Sequence, residues 1–348
     1  MSTRDSRNFC LTFAGGLAAM LCSIAVVNCV VDPYAQYGTR LFPPAVQTSR
    51  ADKVRLLAAE REPVEGLILG SSRVLKLEPE YLRERTGLRF FNAGVTHARP
   101  EDMLALVRHF EAVRGHYPKI AIVGVDVASL QDTAAPDARL IADPDLYPHV
   151  PELHSWENSL QPMQELISYQ QTRSSLQSLL RFARGATVEP SESFRPDGVI
   201  VYHERQRQRD AGTYDFDAAL DYNVREYREA FRDYPAISAV RRDMLCELVR
   251  MLRENGCRVH LFITPDHPRL ADSLAELESY PARRRETAEL LRSLAGDRVS
   301  FTDLVSLESF EGDANEFIDG IHPLEENTRR MIERLVHTRT PEDGDAIQ

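Results

Sequence analysis

Cysteine is scarce in this chain, tryptophan occurs once, and an excess of positive charge is missing altogether. The 348 residues hold five cysteines, and 42 Lys and Arg stand against 53 Asp and Glu, a net charge of −11. The missing positive charge argues against a nucleic-acid partner, because phosphate binding needs clustered cations. Arginines such as Arg241, Arg242, Arg250 and Arg253 are interleaved with acids and read as a solvated helix face. No C-x-x-C or Cys/His spacing marks a metal site, and no metal or other cofactor is expected. Three of the cysteines, Cys10, Cys22 and Cys29, lie in an N-terminal apolar segment. The remaining pair, Cys246 and Cys257, leaves two readings open: a disulfide in an oxidising compartment, or buried free thiols. The segment after the first apolar strand reads G-S-S-R rather than G-x-G-x-x-G, which removes the Rossmann-type nucleotide domain. Repeats and low-complexity tracts are also missing, and the composition is that of a globular protein.

What is present begins with a 23-residue uncharged run, Phe9 to Val31. About 20 apolar residues cross a bilayer. The leader before it carries Arg4 and Arg7 against Asp5, which would keep the N-terminus in the cytoplasm. Val30-Val31-Asp32-Pro33 is a poor context for signal-peptide cleavage, and Asn28-Cys29 a poor one for lipidation. The expectation is a leader at 1–8, a single-pass signal anchor of the inner (cytoplasmic) membrane at 9–31, and a periplasmic or otherwise extracytoplasmic domain.

Residues 32–59, broken by Pro33, Pro43 and Pro44, read as an irregular lead-in. Beyond them, short apolar runs at 64–69, 88–91, 119–125, 258–263 and 299–302 predict strands. Helical patterns at 78–85, 100–114, 237–254 and 324–336 alternate with them. Such alternation implies a parallel sheet covered on both faces, within one domain at 60–340 and ahead of a tail at 341–348. Between about 129 and 236 the alternation fails, and the stretch reads as an insertion, helical near 163–183, that contributes loops or a lid.

Ligands bind such sheets at the carboxyl ends of the strands. The first strand ends in Gly70-Ser71-Ser72-Arg73, the second in Asn92-Ala93-Gly94, the third in Gly124-Val125-Asp126. Asp319-Gly320-Ile321-His322 precedes the last helix. A serine at a strand tip, a glycine that lets a carbonyl approach its N–H, and an Asp and a His three apart in a loop suit nucleophilic catalysis. His267, in the turn after the fourth strand, opens on the same edge and reads equally as a substrate contact or a hydrogen-bonded structural residue. His97 reads mainly as structural.

In order and placement these blocks resemble those of the SGNH/GDSL hydrolases: G-D-S, N-x-G, G-x-N-D and D-x-x-H. The resemblance spans nearly all of the chain beyond the apolar segment. It implies a three-layer α/β/α sandwich with a mainly parallel, flavodoxin-like sheet. With G-S-S and an anchor, the chain is similar to the extracytoplasmic branch active in D-alanyl-lipoteichoic acid biosynthesis and polysaccharide O-acetylation. Carried over, Ser72 is the nucleophile with Ser71 as its rival, His322 the general base and Asp319 its orienting acid. The N–H groups of Ser72 and Gly94 form the oxyanion hole. Arg73, Asn92, Asp126 and His267 are candidate supporting residues. The implied function is an acyl ester hydrolase or acyltransferase acting on envelope polysaccharide or lipid, with a membrane acyl-donor protein as partner. The alternative is an inactive binding or assembly protein of the same fold. One position departs from the pattern: Asp126 stands where the family has an asparagine, and an ionised carboxylate only accepts hydrogen bonds. Either it turns away, paired with Arg73, or Arg73 and backbone donors hold the oxyanion.

Overall fold

The computed structural model describes residues 3–39, 41–44, 49–132, 135–185 and 192–337. The start of the expected leader and the 341–348 tail lie outside the described residues. Five parallel strands, β1 (Gly66–Leu69), β2 (Phe90–Asn92), β3 (Ile120–Val125), β6 (Arg258–Ile263) and β7 (Val299–Asp303), form one sheet in the order β2-β1-β3-β6-β7. A two-stranded antiparallel hairpin, β4 (Glu192–Phe194) and β5 (Ile200–Tyr202), interrupts the chain between β3 and β6.

Successive strand residues point to opposite faces, and both faces are covered. Leu67, Leu69, Val123, Leu261 and Ile263 join a core shared with the helices Pro100–Arg114, Ala239–Glu254 and Ser279–Leu294. Ile68, Ile122 and Phe262 join a second core with the helices Pro79–Thr86 and Glu325–His337. The architecture is thus a three-layer α/β/α sandwich. Each fully buried aliphatic side chain contributes roughly 1.5–3 kcal/mol, which explains why the strands read as continuous apolar runs.

Four readings need correction. The lead-in contains a helix, Arg50–Ala59, whose inward positions Arg50, Lys53, Val54 and Leu57 include two cations. Arg50 pairs with the buried Asp102 at 2.8 Å, and Lys53 donates to the carbonyls of Asn92 (2.7 Å) and Gly198. Arg241 is not on the solvated face: it is buried against Glu101, Nη2 to Oε1 3.1 Å, while Arg242, Arg250 and Arg253 are exposed. The helical stretch near 163–183 is two helices, Trp156–Leu166 and Tyr169–Ala183. The rest of the 129–236 region is more structured than its composition suggests, with the helices His203–Asp210 and Phe216–Arg232 beside the hairpin. Cys246 and Cys257 are free thiols. Burial pushes Cys257 up to about 12.

At the N-terminus, one helix, Thr3–Val31, is long and apolar enough by length and composition to cross a membrane. Asp32, at φ 50°, ends it: its carboxylate accepts the backbone N–H groups of Gln36, Tyr37 and Thr39, turning the chain back on itself.

Three glycines at three strand ends surround one side chain, Val74, in the 3-10 turn Ser72–Val74 that follows β1. A Cβ at Gly70, Gly94 or Gly124 would stand 2.9, 2.6 or 2.6 Å from a Val74 methyl carbon. The glycines therefore serve packing: they let Val74 sink between the strand tips and hold the adjoining Ser72 at the sheet edge. Gly94→Ala is expected to destabilise the fold by about 1–3 kcal/mol through overpacking. Val74→Ala in the same chain should recover part of that loss. A double-mutant cycle from chemical denaturation would test this, and simple additivity would remove the packing account.

Candidate active site

Ser72 is brought to the end of β1 by a locally determined turn. The Ser71 hydroxyl accepts from Arg73 N–H at 3.3 Å, capping the 3-10 turn, and the Ser71 side chain is buried. Asn92 at the end of β2 closes the turn from the other side, its carboxamide donating to the carbonyls of Val74 (2.8 Å) and Leu77 (3.0 Å). Ser71 and Asn92 are thus structural members of the turn, and Ser72 is the partly exposed hydroxyl.

The loop before the last helix approaches from the far end of the sequence. His322 Nε2 lies 2.8 Å from Ser72 Oγ, and His322 Nδ1 lies 2.8 and 2.9 Å from the two Asp319 oxygens. Asp319 also accepts the backbone N–H groups of Ile321 and His322, each at 3.0 Å, and Arg205 Nη1 at 3.1 Å. Burial alone would raise the Asp319 pKa, but His322, the Ile321 amide and Arg205 outweigh it and hold the carboxyl well below the usual range. An ionised Asp319 can only accept, so Nδ1 carries the imidazole proton. Nε2 is left as acceptor for the Ser72 hydroxyl. The three residues chosen from sequence form one continuous chain of hydrogen bonds.

Sequence reasoning missed the residues that hold this loop. Arg205 stands in His-Glu-Arg-Gln-Arg-Gln-Arg-Asp (203–210), a run with the composition of a solvated helix. It reaches Asp319 while stacking on Tyr202, whose ring also faces His322 at 6.5 Å. Asn223 Oδ1 accepts Gly320 N–H at 2.9 Å, and the Tyr214 hydroxyl donates to the Ile318 carbonyl. His267 is drawn into the same bracing. Its backbone N–H donates to the Gly320 carbonyl at 3.0 Å, its Nδ1 accepts from Arg269 N–H, and its ring packs between Phe216 and Phe317. Burial and then Arg269 lower its pKa, so a neutral structural imidazole fits its surroundings. His97 is exposed, in the left-handed region at φ 56°, in the loop after β2.

The opposite side of Ser72 is poorer in donors. Asp126 turns to Thr264, which donates to it at 2.6 Å, and lies 3.7 Å from Arg73 Nε. Arg73 is itself buried, bonded through Nη1 to Asp266 (2.6 Å) and the Pro265 carbonyl (3.0 Å), with Tyr227 under its guanidinium. Burial would lower its pKa, and Tyr227, Asp266 and Asp126 together reverse this, raising it well above the ordinary value. It is a fixed structural cation. The expected Gly94 donor also needs correction, because its N–H is bonded to Asn92 Oδ1 at 3.1 Å and its missing Cβ admits Val74 rather than a ligand. Ser72 N–H has no hydrogen-bond partner among the described residues.

A cavity of about 260 Å³ lies on the side of Tyr202, lined by Lys76, Tyr202, Gln206, Arg209, Glu316 and Leu324 among others. Ser72 does not line it. Among the described residues no group of His, Cys, Asp and Glu is placed to hold a metal ion.

Comparisons with known proteins add little chemistry. No family model matches the chain, and no curated protein does. Among solved structures it is similar to a GDSL-like lipase from Bacteroides thetaiotaomicron, at 11% identity and a TM-score of 0.38, over 82% of this chain and 94% of that one. It is also similar to a candidate acylhydrolase from Bacteroides fragilis, at 12% identity and a TM-score of 0.33, over 82% and 91%. Likenesses this distant carry no residue roles over to this chain.

The Asp319 carboxylate should contribute to stability as well as orientation. Its folded pKa lies below the unfolded value, so that contribution is complete above the ordinary carboxylate range and is lost as pH falls through the folded pKa. Asp319→Asn is expected to be less stable than wild type at neutral pH, with the gap narrowing as the medium is acidified below the carboxylate range. Urea unfolding of both proteins across pH checks this, and a gap that widens on acidification would contradict it.

Proposed function

We propose that this protein is a serine-dependent acyl ester hydrolase or acyltransferase. The observation that carries this reading is the hydrogen-bonded chain from Ser72 through His322 to Asp319. In the first step His322 Nε2 takes the Ser72 proton as Oγ bonds to the ester carbonyl carbon. The ester C–O bond then breaks, the leaving alcohol takes the proton back from His322, and an acyl-Ser72 remains. Water, or the hydroxyl of an acceptor, attacks in the second step with the same imidazole as base, and Ser72 is released. Asp319 and Arg205 fix the imidazole tautomer and orientation, following the logic of a Ser-His-Asp triad. The Ser72 N–H is the available backbone donor for the oxyanion.

The apolar N-terminal helix supports a site carried outside the cytoplasmic membrane on an anchor. A tethered domain suits transfer of an acyl group from a membrane donor protein to envelope polysaccharide or lipid. The Lys76, Gln206, Arg209 and Glu316 lining of the neighbouring cavity favours a hydroxyl-rich acceptor, since an acyl tail leaves such groups without partners. A second reading, a non-catalytic binding or assembly protein, is favoured by the occupied Gly94 N–H and by Asp126. The loss of one oxyanion donor typically costs about 100–1,000-fold in rate.

Labelling and turnover separate these readings, and a third variant tests the role of Arg205. A fluorophosphonate should label the protein at Ser72, located by mass spectrometry, and His322→Ala should abolish the adduct; a folded, unlabelled wild type would favour the non-catalytic reading. Ser72→Ala should lower ester turnover by roughly 1,000-fold or more. Arg205→Ala should lower kcat with little change in KM and leave Ser72 labelling detectable but slower. Equal activity in Arg205→Ala and wild type would remove the positioning role.

A further inference from the structure

We infer that the helix pair Trp156–Leu166 and Tyr169–Ala183 is a membrane-surface element, docking the domain on an anionic bilayer beside its N-terminal helix. The second helix is built inside out. Its inward face is Gln171, Ser174, Ser175 and Ser178, all buried, whereas Tyr169, Leu176 and Leu180 on the opposite face are 80%, 56% and 46% exposed. Trp156, Leu160 and Met163 repeat at helical spacing on the first helix and are 71%, 40% and 67% exposed. A water-facing helix carries the reverse arrangement, with its apolar stripe turned to the core. An apolar face turned outward calls for an apolar exterior.

The N-terminal helix identifies that exterior. Both helices of the pair pack against it. Asn28 Nδ2 donates to the Leu166 carbonyl (2.7 Å) and to Thr172 Oγ1 (3.0 Å). Leu21, Ile24, Ala25 and Asn28, one face of that helix, are covered in part or whole, and Phe9 to Met20 stand free. The small serine face of the second helix also meets the chain just after the anchor: Ser174 Oγ lies 3.0 Å from Tyr34 Oη, and Ser178 donates to the Pro43 carbonyl. If the N-terminal helix spans a bilayer, the pair lies where that helix leaves it. Arg173 and Arg184 are exposed and flank the apolar stripe of the second helix. Long cationic side chains in that position reach lipid headgroups while their stems lie along apolar surface. The domain would then be held flat on the membrane by two elements, instead of swinging on one.

This inference rests on the membrane-anchor reading of the N-terminal helix, and Trp156, the single tryptophan of the chain, allows the two to be tested apart. The full chain would be reconstituted with vesicles of phosphatidylglycerol and phosphatidylcholine, with and without brominated acyl chains. Flotation reports on the anchor, and Trp156 fluorescence on the helix pair. The expected result is flotation, blue-shifted Trp156 emission quenched by the brominated lipid, and poor quenching by aqueous acrylamide. Leu176→Glu with Leu180→Glu should still float while the lipid quenching falls. Flotation with water-exposed Trp156 emission would overturn the docking inference alone, and would leave that face to a protein partner. Unchanged lipid quenching in the double variant would overturn the assignment of that face. Failure to float would overturn the anchor reading and the inference with it.

Discussion

The site depends on one buried carboxylate. Asp319 is 4% exposed, and an ionised carboxylate out of water is tolerated only when its oxygens are well supplied with donors. Two of those donors come from its own loop, the N–H groups of Ile321 and His322, so Asp-x-x-His curls around its acid. The third is the imidazole, and the fourth is Arg205, from a distant part of the chain. Satisfying the charge therefore fixes the loop, the imidazole orientation and the position of the insertion together. The contact with Ser72 follows from that arrangement, which leaves the remaining imidazole nitrogen 2.8 Å from its hydroxyl.

The two sides of Ser72 are unequally equipped. On the base side, Arg205, Asn223, Tyr214 and the His267 backbone hold the three successive residues Ile318, Asp319 and Gly320, and three of those four holders belong to the region between β3 and β6. On the carbonyl side, potential donors are used in structure. Asn92 ties the turn to β2, Gly94 bonds to Asn92, and Arg73 is locked among Asp266, Asp126 and Tyr227. In the proposed reaction, proton transfer would be pre-arranged, and stabilisation of a tetrahedral intermediate would fall mainly to the Ser72 N–H.

Where sequence reading succeeded and failed follows from what buried positions contain. The five sheet strands were legible because both sheet faces are buried, and Leu67-Ile68-Leu69 and Ile120 to Val125 had to be continuously apolar. The helix Arg50–Ala59 was not, because Arg50 and Lys53 occupy core positions and are made acceptable by Asp102 and two distant carbonyls. Arg241 misled for the same reason: its partner Glu101 is far away in sequence. The hairpin and the helix His203–Asp210 escaped because the strands are three residues long and the helix carries charge on most positions. The glycines at the strand tips were visible, but their purpose was not. Only the packed structure shows that Gly70, Gly94 and Gly124 make room for Val74.

By itself, then, the sequence determined the layers of the fold, the apolar N-terminal helix, and the short blocks at the strand ends that carry Ser72, Asp319 and His322. These are properties of local composition and spacing, which hydrophobic periodicity and turn chemistry write directly into the chain. The tertiary structure alone decided which charges are buried, that Arg205 completes the Asp319 site, that Asp126 turns to Thr264, and that the Gly94 N–H is taken. Arg205 and Asp319, Thr264 and Asp126, and Arg241 and Glu101 each meet across more than 100 residues of chain, and the Gly94 N–H is taken because packing seats Asn92 beside it. A periodic pattern specifies which way a residue faces, but not which residue it will meet there.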